Sequence, residues 1–94
     1  MSVPVELGRV AASKAGRDAG KYFIIVGIES ENVVFVADGV LRKLEKPKRK
    51  KLKHLALKPQ VSKVIGDKLG EGKKVFDPEI KSALLNFENE CQAK

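Results

Sequence analysis

Residues 8–21, and the apolar run directly behind them, constrain this chain more than any other part of its sequence. Three glycines divide the segment, at Gly8, Gly16 and Gly20, and residues 22–28 follow as a run of aromatic and β-branched side chains. Glycine reaches the positive φ angles that tight turns and bulges require, and short β-branched runs favour strands. The pattern therefore predicts a strand with a bulge near Gly8, a tight glycine loop and a second strand.

Further short apolar runs predict more strands. Candidate strands cover residues 3–12, 22–28, 33–37, 40–45 and 51–57, separated by polar turns. The dipeptide Asp38-Gly39 favours a two-residue hairpin turn, and Pro47 is expected to turn the chain again. Five short strands joined by short turns predict a mainly β protein, built as a small antiparallel β-barrel.

The sequence changes its periodicity after Pro59. An apolar stripe over residues 61–69 predicts a short helix, which Gly66 weakens. A second helix is expected to start at Asp77 and Pro78 and to end near residue 90, because Asp is a good N-cap and Pro suits the first helical turn. We expect a barrel over residues 1–59 and a helical tail over 60–94, packed on or beside it through Ile80, Leu84, Phe87 and Cys91.

Positive charge is concentrated in residues 42–58. The whole chain carries a formal charge of +7, yet this segment alone has nine Lys or Arg residues and one acidic residue, Glu45. If residues 47–49 form a hairpin tip, basic side chains face each other across its arms, which destabilises the fold. A polyanion explains such a hairpin better than solubility does, and lysine suits phosphate contacts. The segment predicts nucleic-acid binding; a solvated basic face or an anionic membrane surface are the alternatives.

No residue pattern in the sequence indicates an active site or a metal centre. His54 and Cys91 are the only histidine and the only cysteine, so we expect no zinc site and no internal disulfide. Lys21 is followed by Tyr22, which breaks the P-loop pattern, and no Ser or Cys lies in a nucleophile motif. We expect a non-enzymatic protein without cofactor or small-molecule substrate. His54 is expected to be half-buried or in contact with RNA.

The sequence also favours a particular compartment. A lone cysteine fits a reducing environment, the first residues do not read as a secretory signal, and the apolar runs are far shorter than the ~20 residues that a membrane helix needs. We therefore expect a soluble, cytoplasmic protein with no membrane partner. Phe23 and Phe35 are interpreted as core residues, with base stacking as the alternative.

Two motifs in this order resemble a known family. The glycine pattern and the strand behind it resemble the KOW motif of ribosomal and transcription-factor RNA-binding modules, through Gly8, Val10, Gly16, Gly20 and Lys21. The run A-G-R-D-A-G-K-Y, then D-G-V-L-R-K-L-E-K-P-K-R-K-K-L-K-H-L, is similar to the large-subunit ribosomal protein group numbered fourteen-e, with its six-e and twenty-seven-e relatives. The similarity covers about residues 5–58.

This resemblance implies an SH3-like β-barrel and ribosomal RNA as the partner, with ribosomal proteins as further neighbours in a ribonucleoprotein. Gly8, Gly16 and Gly20 become structural residues of the KOW loop. The implied RNA-contacting residues are Lys14, Arg17, Lys21, Arg42, Lys43, Lys46, Lys48, Arg49, Lys50, Lys51, Lys53 and His54.

Alternative functions remain open at this stage. KOW-type barrels of the transcription and translation machinery also serve as protein-interaction modules, and a basic hairpin also suits nucleic acid without RNA preference. The ribosomal relatives carry helical extensions longer than residues 60–94 of this chain. The charge of residues 60–94 is also balanced, with six basic and six acidic residues. A permanent ribosomal component and a transient factor are therefore both compatible with the sequence.

Overall fold

Five short strands form one antiparallel sheet in the computed structural model, which describes residues 5–14, 16–17, 19–40 and 42–92 apart from the side chains of 90–92. The order across the sheet is β4-β3-β2-β1-β5. A short 3-10 helix, Leu52–His54, joins β4 to β5, and two α-helices follow. The elements are β1 (Arg9–Ser13), β2 (Tyr22–Ile28), β3 (Val33–Ala37), β4 (Lys48–Lys51), β5 (Leu55–Val61), α1 (Lys63–Gly70) and α2 (Asp77–Gln92).

Alternate side chains of β1 and β2 pack into two separate apolar layers, as the two-residue period of a strand requires. One layer joins the sheet to the helices and contains Val10, Ile24, Ile65, Val75, Ile80, Leu84 and Phe87. The other layer lies among the strands and contains Ala11, Phe23, Ile25, Val34, Val36 and Leu55. The prediction of a mainly β protein with C-terminal helices is therefore confirmed, and Phe23 is a core residue.

The predicted fourth strand is wrong. The described residues between 38 and 47 form turns, and Leu41 lies outside the described residues. The carboxylate of Asp38 accepts hydrogen bonds from the backbone N–H groups of Val40 and Arg42, each over 2.8 Å. Asp38-Gly39 therefore turns the chain into a wide loop and not into a two-residue hairpin, because the Asp side chain satisfies backbone groups that a strand ladder would need.

The predicted basic hairpin is also wrong. Residues 48–51, expected to include its tip, form β4 and pair with residues 33–36 of β3. Basic side chains consequently lie opposite apolar ones, and the expected repulsion between the arms of a hairpin is absent from this pairing. The next strand begins at Leu55 and not at residue 51, and it runs through Pro59 and Val61 beyond the expected boundary at residue 59. Proline is tolerated there because β5 is an edge strand.

The helices lie close to their expected positions. α1 spans Lys63–Gly70, two residues later than predicted, because Val61 ends β5 and Ser62 caps the helix by accepting from Ile65 N–H. α2 begins at Asp77 as expected. The side chain of Cys91, predicted to be buried, lies outside the described residues.

The sheet is open at its edges in the part of the chain described. β4 and β5 are the outer strands and are not neighbours in the sheet. The pairing of β1 with β5 shifts register between Arg9 and Ala11, close to the bulge expected near Gly8. Neither helix, over the residues described, is long and apolar enough to cross a membrane.

Candidate nucleic-acid interface

The described residues from Lys14 to Lys21 belong to a tight loop at the end of β1. Ser13 closes the loop, since its N–H donates to the Lys21 carbonyl and its own carbonyl accepts from Gly20 N–H, both over 2.9 Å. Gly16 and Gly20 have φ angles of 77° and 86°, which side chains with a Cβ rarely adopt. The basic side chains that this turn exposes are Lys14, Arg17 and Lys21.

Gly8 lies at the opposite end of β1 and has a different role. Its N–H donates to the Ile25 carbonyl and its carbonyl accepts from Ser62 N–H, both over 2.8 Å. A Cβ at Gly8 would lie 2.5 Å from the Ser62 carbonyl oxygen, and its φ is +88°. The sequence grouped Gly8 with the loop glycines, whereas the structure uses it where the start of α1 approaches the sheet.

The 3-10 helix lies beside the glycine loop. Lys14 N–H donates to the His54 carbonyl over 2.8 Å. Lys50 reaches the same place from β4, with its Nζ 3.1 Å from Ser13 Oγ. The end of β1 therefore brings together two basic motifs that are more than thirty residues apart in the sequence. We call this the β1-end surface; its exposed or half-buried basic residues are Lys14, Arg17, Lys21, Lys53 and His54.

β4 divides its four basic residues between two faces. Lys48 and Lys50 lie opposite valines of β3 that are fully buried, and directly paired residues of antiparallel strands share a face. Lys50 is only 9% exposed, so its stem covers the edge of the core while its ammonium group reaches Ser13. Arg49 and Lys51 alternate to the outer face and are exposed.

Arg49 forms a two-pronged ion pair with Glu29, in the turn after β2. Arg49 Nε lies 3.1 and 3.0 Å from Glu29 Oε1 and Oε2, and Nη2 lies 2.7 Å from Oε2. The hydrogen bond from Arg49 is the main reason why the pKa of Glu29 lies below its usual value. The same bond raises the pKa of Arg49.

The remaining basic residues of the predicted site, Arg42, Lys43 and Lys46, lie on the turns of residues 38–47. This loop packs against the start of α2, where Asp77 Oδ1 accepts from Leu44 N–H over 2.7 Å. The three basic side chains are exposed. They are thus carried by an element different from the one that positions the β1-end surface, although the sequence placed them on one hairpin.

A second concave surface lies between the helices. An apolar groove of about 510 Å³ runs between α1, α2 and the sheet, and its lining includes Val10, Ile24, Val64, Ala83 and Phe87. An ion pair between Lys68 of α1 and Glu79 of α2 joins the two helices beside the groove, with Nζ and Oε1 2.5 Å apart. The described residues that line this groove include no cluster of basic side chains, so it differs in chemistry from the β1-end surface.

Comparison with models of known protein families gives no match for this chain. The described residues contain no group of three or more His, Cys, Asp or Glu side chains that could hold a metal ion. The groups that the β1-end surface presents are cationic side chains beside hydrogen-bonded backbone.

Sequence reasoning missed three residues that shape the site: Ser13, Glu29 and Asp77 in its contact with Leu44. Ser13 accepts a hydrogen bond from Lys50, and Glu29 forms an ion pair with Arg49. Asp77 accepts a hydrogen bond from Leu44 in the loop at residues 38–47. Each contact joins residues at least twenty positions apart, so it depends on strand register. The sequence held a signal for Glu29 alone, because the polar turn at residues 29–32 places its carboxylate next to the end of a strand.

Proposed function

We propose that this chain is a non-enzymatic RNA-binding protein, ribosomal or ribosome-associated, that holds ribosomal RNA through its phosphates. The observation that carries this proposal is the convergence of the glycine loop and the 3-10 helix at the end of β1, where Lys14 N–H donates to the His54 carbonyl. Several exposed cations in one small area suit a polymer of phosphates, because each contact releases condensed counterions.

The proposal includes the finer fold, an SH3-like barrel of the KOW type. Two features support it. The glycine loop lies between the first two strands of a five-stranded antiparallel sheet. The contact between Lys50 and Ser13 joins β4 to the end of β1, and because two strands separate β4 from β1 in the sheet, this contact requires a strongly coiled sheet. The KOW pattern of the sequence adds independent support, and a cytoplasmic role in translation follows from it.

Phosphate contact is the favoured mode of binding. The exposed cations are mostly lysines, which act as point charges and suit phosphate better than base edges. Selectivity for RNA over DNA then depends on the A-form shape and the 2′-hydroxyl groups. Phe35, which was expected in the core, is only half-buried, on the outer side of the sheet opposite Arg49. Base stacking by Phe35 stays the alternative.

The test is co-sedimentation of the protein with large ribosomal subunits over a series of salt concentrations. We expect association at low salt that weakens steadily as salt rises. A protein that stays at the top of the gradient even at low salt contradicts the ribosomal assignment. Equal affinity for matched RNA and DNA duplexes would instead indicate a general nucleic-acid-binding protein.

The groove between α1 and α2 favours a second candidate, a KOW-type protein-interaction module. Its volume of about 510 Å³ falls in the range of sites that accept an apolar ligand or side chain. Val64 lines it and is 63% exposed, so Val64→Asp changes the groove without disturbing the core. Association with subunits that is lost in Val64→Asp, and survives charge reversal of Lys51 and Lys53, would favour this candidate.

A further inference from the structure

Arg49 already holds an anionic ligand, the carboxylate of Glu29. The guanidinium group meets both carboxylate oxygens, with three contacts between 2.7 and 3.1 Å. Arginine takes phosphate with the same fork of parallel N–H groups, because carboxylate and phosphate oxygens present similar acceptor geometry. Glu29 therefore stands where a phosphate would stand.

The carboxylate is held in place by the fold. Glu29 directly follows β2, and its N–H donates to the Val33 carbonyl over 3.0 Å, which closes the turn at residues 29–32. Leu52 N–H donates to the Asn32 carbonyl over 2.8 Å, so the same turn is tied to the end of β4. Glu29 and Arg49 are thus positioned against each other from two directions.

The pair is also accessible to solvent, since the side chains of Arg49 and Glu29 are 57% and 40% exposed. Exposed ion pairs add little to folding stability, because solvent screens them and ordering two long side chains costs entropy. Exchange of the carboxylate for another anion therefore leaves the fold intact. The hydrogen bond from Arg49 lowers the pKa of Glu29 further below neutral, so this carboxylate stays charged to a lower pH than an unpaired glutamate.

We propose that Glu29 is an internal phosphate mimic that makes the outer face of β4 selective for polymeric phosphate over isolated anions. The inference rests on the proposed nucleic-acid binding. An isolated phosphate must displace the carboxylate from Arg49 and gains only one new contact. A nucleic-acid strand engages Lys51 as well, which lies on the same face of β4 two residues away, roughly 6.6 Å along the strand.

The experiment compares Glu29→Gln with Glu31→Gln. Both variants remove one negative charge from the same exposed turn, but no described contact ties Glu31 to Arg49. Affinity for an RNA duplex is measured by fluorescence anisotropy over a salt series. We expect Glu29→Gln to tighten binding about two- to fivefold, the range that an exposed ion pair spans, and to steepen the salt dependence by about one unit. Glu31→Gln should produce a smaller gain.

A double variant isolates the pair. In an Arg49→Gln background, Glu29→Gln should give no more than the gain of Glu31→Gln, because no guanidinium is left to be released. Equal gains for Glu29→Gln and Glu31→Gln in the native background would assign the effect to net charge and overturn the inference. A wild-type protein with no salt-dependent RNA affinity would overturn the proposed function instead.

The inference has a readout that needs no RNA. The NMR signal of Arg49 Nε is followed during titration with inorganic phosphate. We expect it to shift at lower phosphate concentration in Glu29→Gln than in the wild-type protein and in Glu31→Gln. Identical titrations for all three proteins would show that Glu29 does not compete with phosphate, whatever the RNA measurements give.

Discussion

Residues 38–47 hold three basic and two acidic residues, and residues 48–54 hold five basic residues and no acidic one. The two segments also use their basic residues differently. In the first segment, the loop segment, Arg42, Lys43 and Lys46 are exposed on turns that Asp38 and Asp77 hold in shape. In the second, the strand segment, Lys50 points to the core edge and Arg49 is paired with Glu29. The comparison teaches that charge density along a sequence does not measure how much charge a partner can reach.

Strand geometry is the physical reason for this difference. A strand directs successive side chains to opposite faces, so four consecutive basic residues cannot all point at one partner. Turns impose no such alternation, and the loop segment keeps its cations in solvent. Five predictions test this contrast, beginning with the change that should disturb the molecule most.

The largest effect is expected for Gly39→Ala in the loop segment. Gly39 has a φ of +79°, and a Cβ there would overlap the Asp77 carbonyl oxygen at the start of α2. The strained φ and the overlap together should lower the free energy of unfolding by about 3 kcal/mol or more. Chemical denaturation measures the change.

Gly16→Ala is the matched control for that variant. Its φ is also positive, at +77°, but no atom of the described residues beyond its chain neighbours lies within 4 Å of the added Cβ. Only the cost of the left-handed conformation remains, about 1–2 kcal/mol. Equal losses for the two variants would mean that the loop segment is not packed against α2.

A smaller effect is expected for Lys50→Ala in the strand segment. Lys50 is 9% exposed and its ammonium group lies 3.1 Å from Ser13 Oγ. Removal of the stem and of the hydrogen bond should lower the free energy of unfolding by about 1–3 kcal/mol. Lys51→Ala, on the outer face, should change it by no more than about 0.5 kcal/mol, as urea titrations would show.

RNA affinity measured after substitution at the same two positions sharpens the contrast. Lys51→Ala should reduce the salt dependence of binding by about one unit with little dependence on RNA sequence, as the loss of one phosphate contact requires. Lys50→Met keeps the stem without the charge and should leave the salt dependence unchanged. A reduced slope for Lys50→Met would show that Lys50 contacts phosphate after all.

The sequence predicted local structure well and long-range register poorly. Residues 22–28 and 33–37 were correctly assigned as strands because their β-branched runs have no competing interpretation. The helix from Asp77 was found from its Asp-Pro start and its apolar stripe. These features depend only on neighbours along the chain.

The errors cluster in residues 38–54, where local signals conflict with the fold. Lys48–Lys51 has low strand propensity, yet it forms β4 because β3 offers an open edge on which the stems of Lys48 and Lys50 can lie against buried valines. The hairpin signal of Asp38-Gly39 was overridden because the Asp38 side chain bonds Arg42 N–H. No pattern in the sequence predicts the register between β3 and β4. That register decides which basic residues of β4 face the core and which face solvent.

Asp77→Ala is expected to lower the free energy of unfolding by about 1 kcal/mol, because the partly buried hydrogen bond from Leu44 N–H to Asp77 is lost. Asp77→Asn keeps an acceptor oxygen and should recover most of the loss. Amide hydrogen exchange at Leu44 reports the contact directly, and faster exchange is expected in Asp77→Ala only. Unchanged exchange in that variant would show that the loop segment does not depend on α2.

The smallest effects concern pH, through one carboxylate at the start of α2, Glu79, and one beside the strand segment, Glu29. The pKa of Glu79 lies below its usual value of 4.5, chiefly because Lys68 donates to it and also because Phe76 N–H does. The pKa of Glu29 is lowered chiefly by Arg49. Since both groups hold fewer protons when folded, their stabilisation is present above the unfolded pKa and is lost as pH falls through the folded pKa.

Stability should therefore decrease on acidification below about pH 4.5, the usual value for both groups. Glu79→Gln should flatten this decrease more than Glu29→Gln, because Glu79 is less exposed, at 28% against 40%, and its bond to Phe76 N–H caps α2. Thermal unfolding midpoints between pH 3 and pH 7 measure both variants. A larger change for Glu29→Gln would mean that the strand segment, and not the start of α2, limits the stability of the fold in acid.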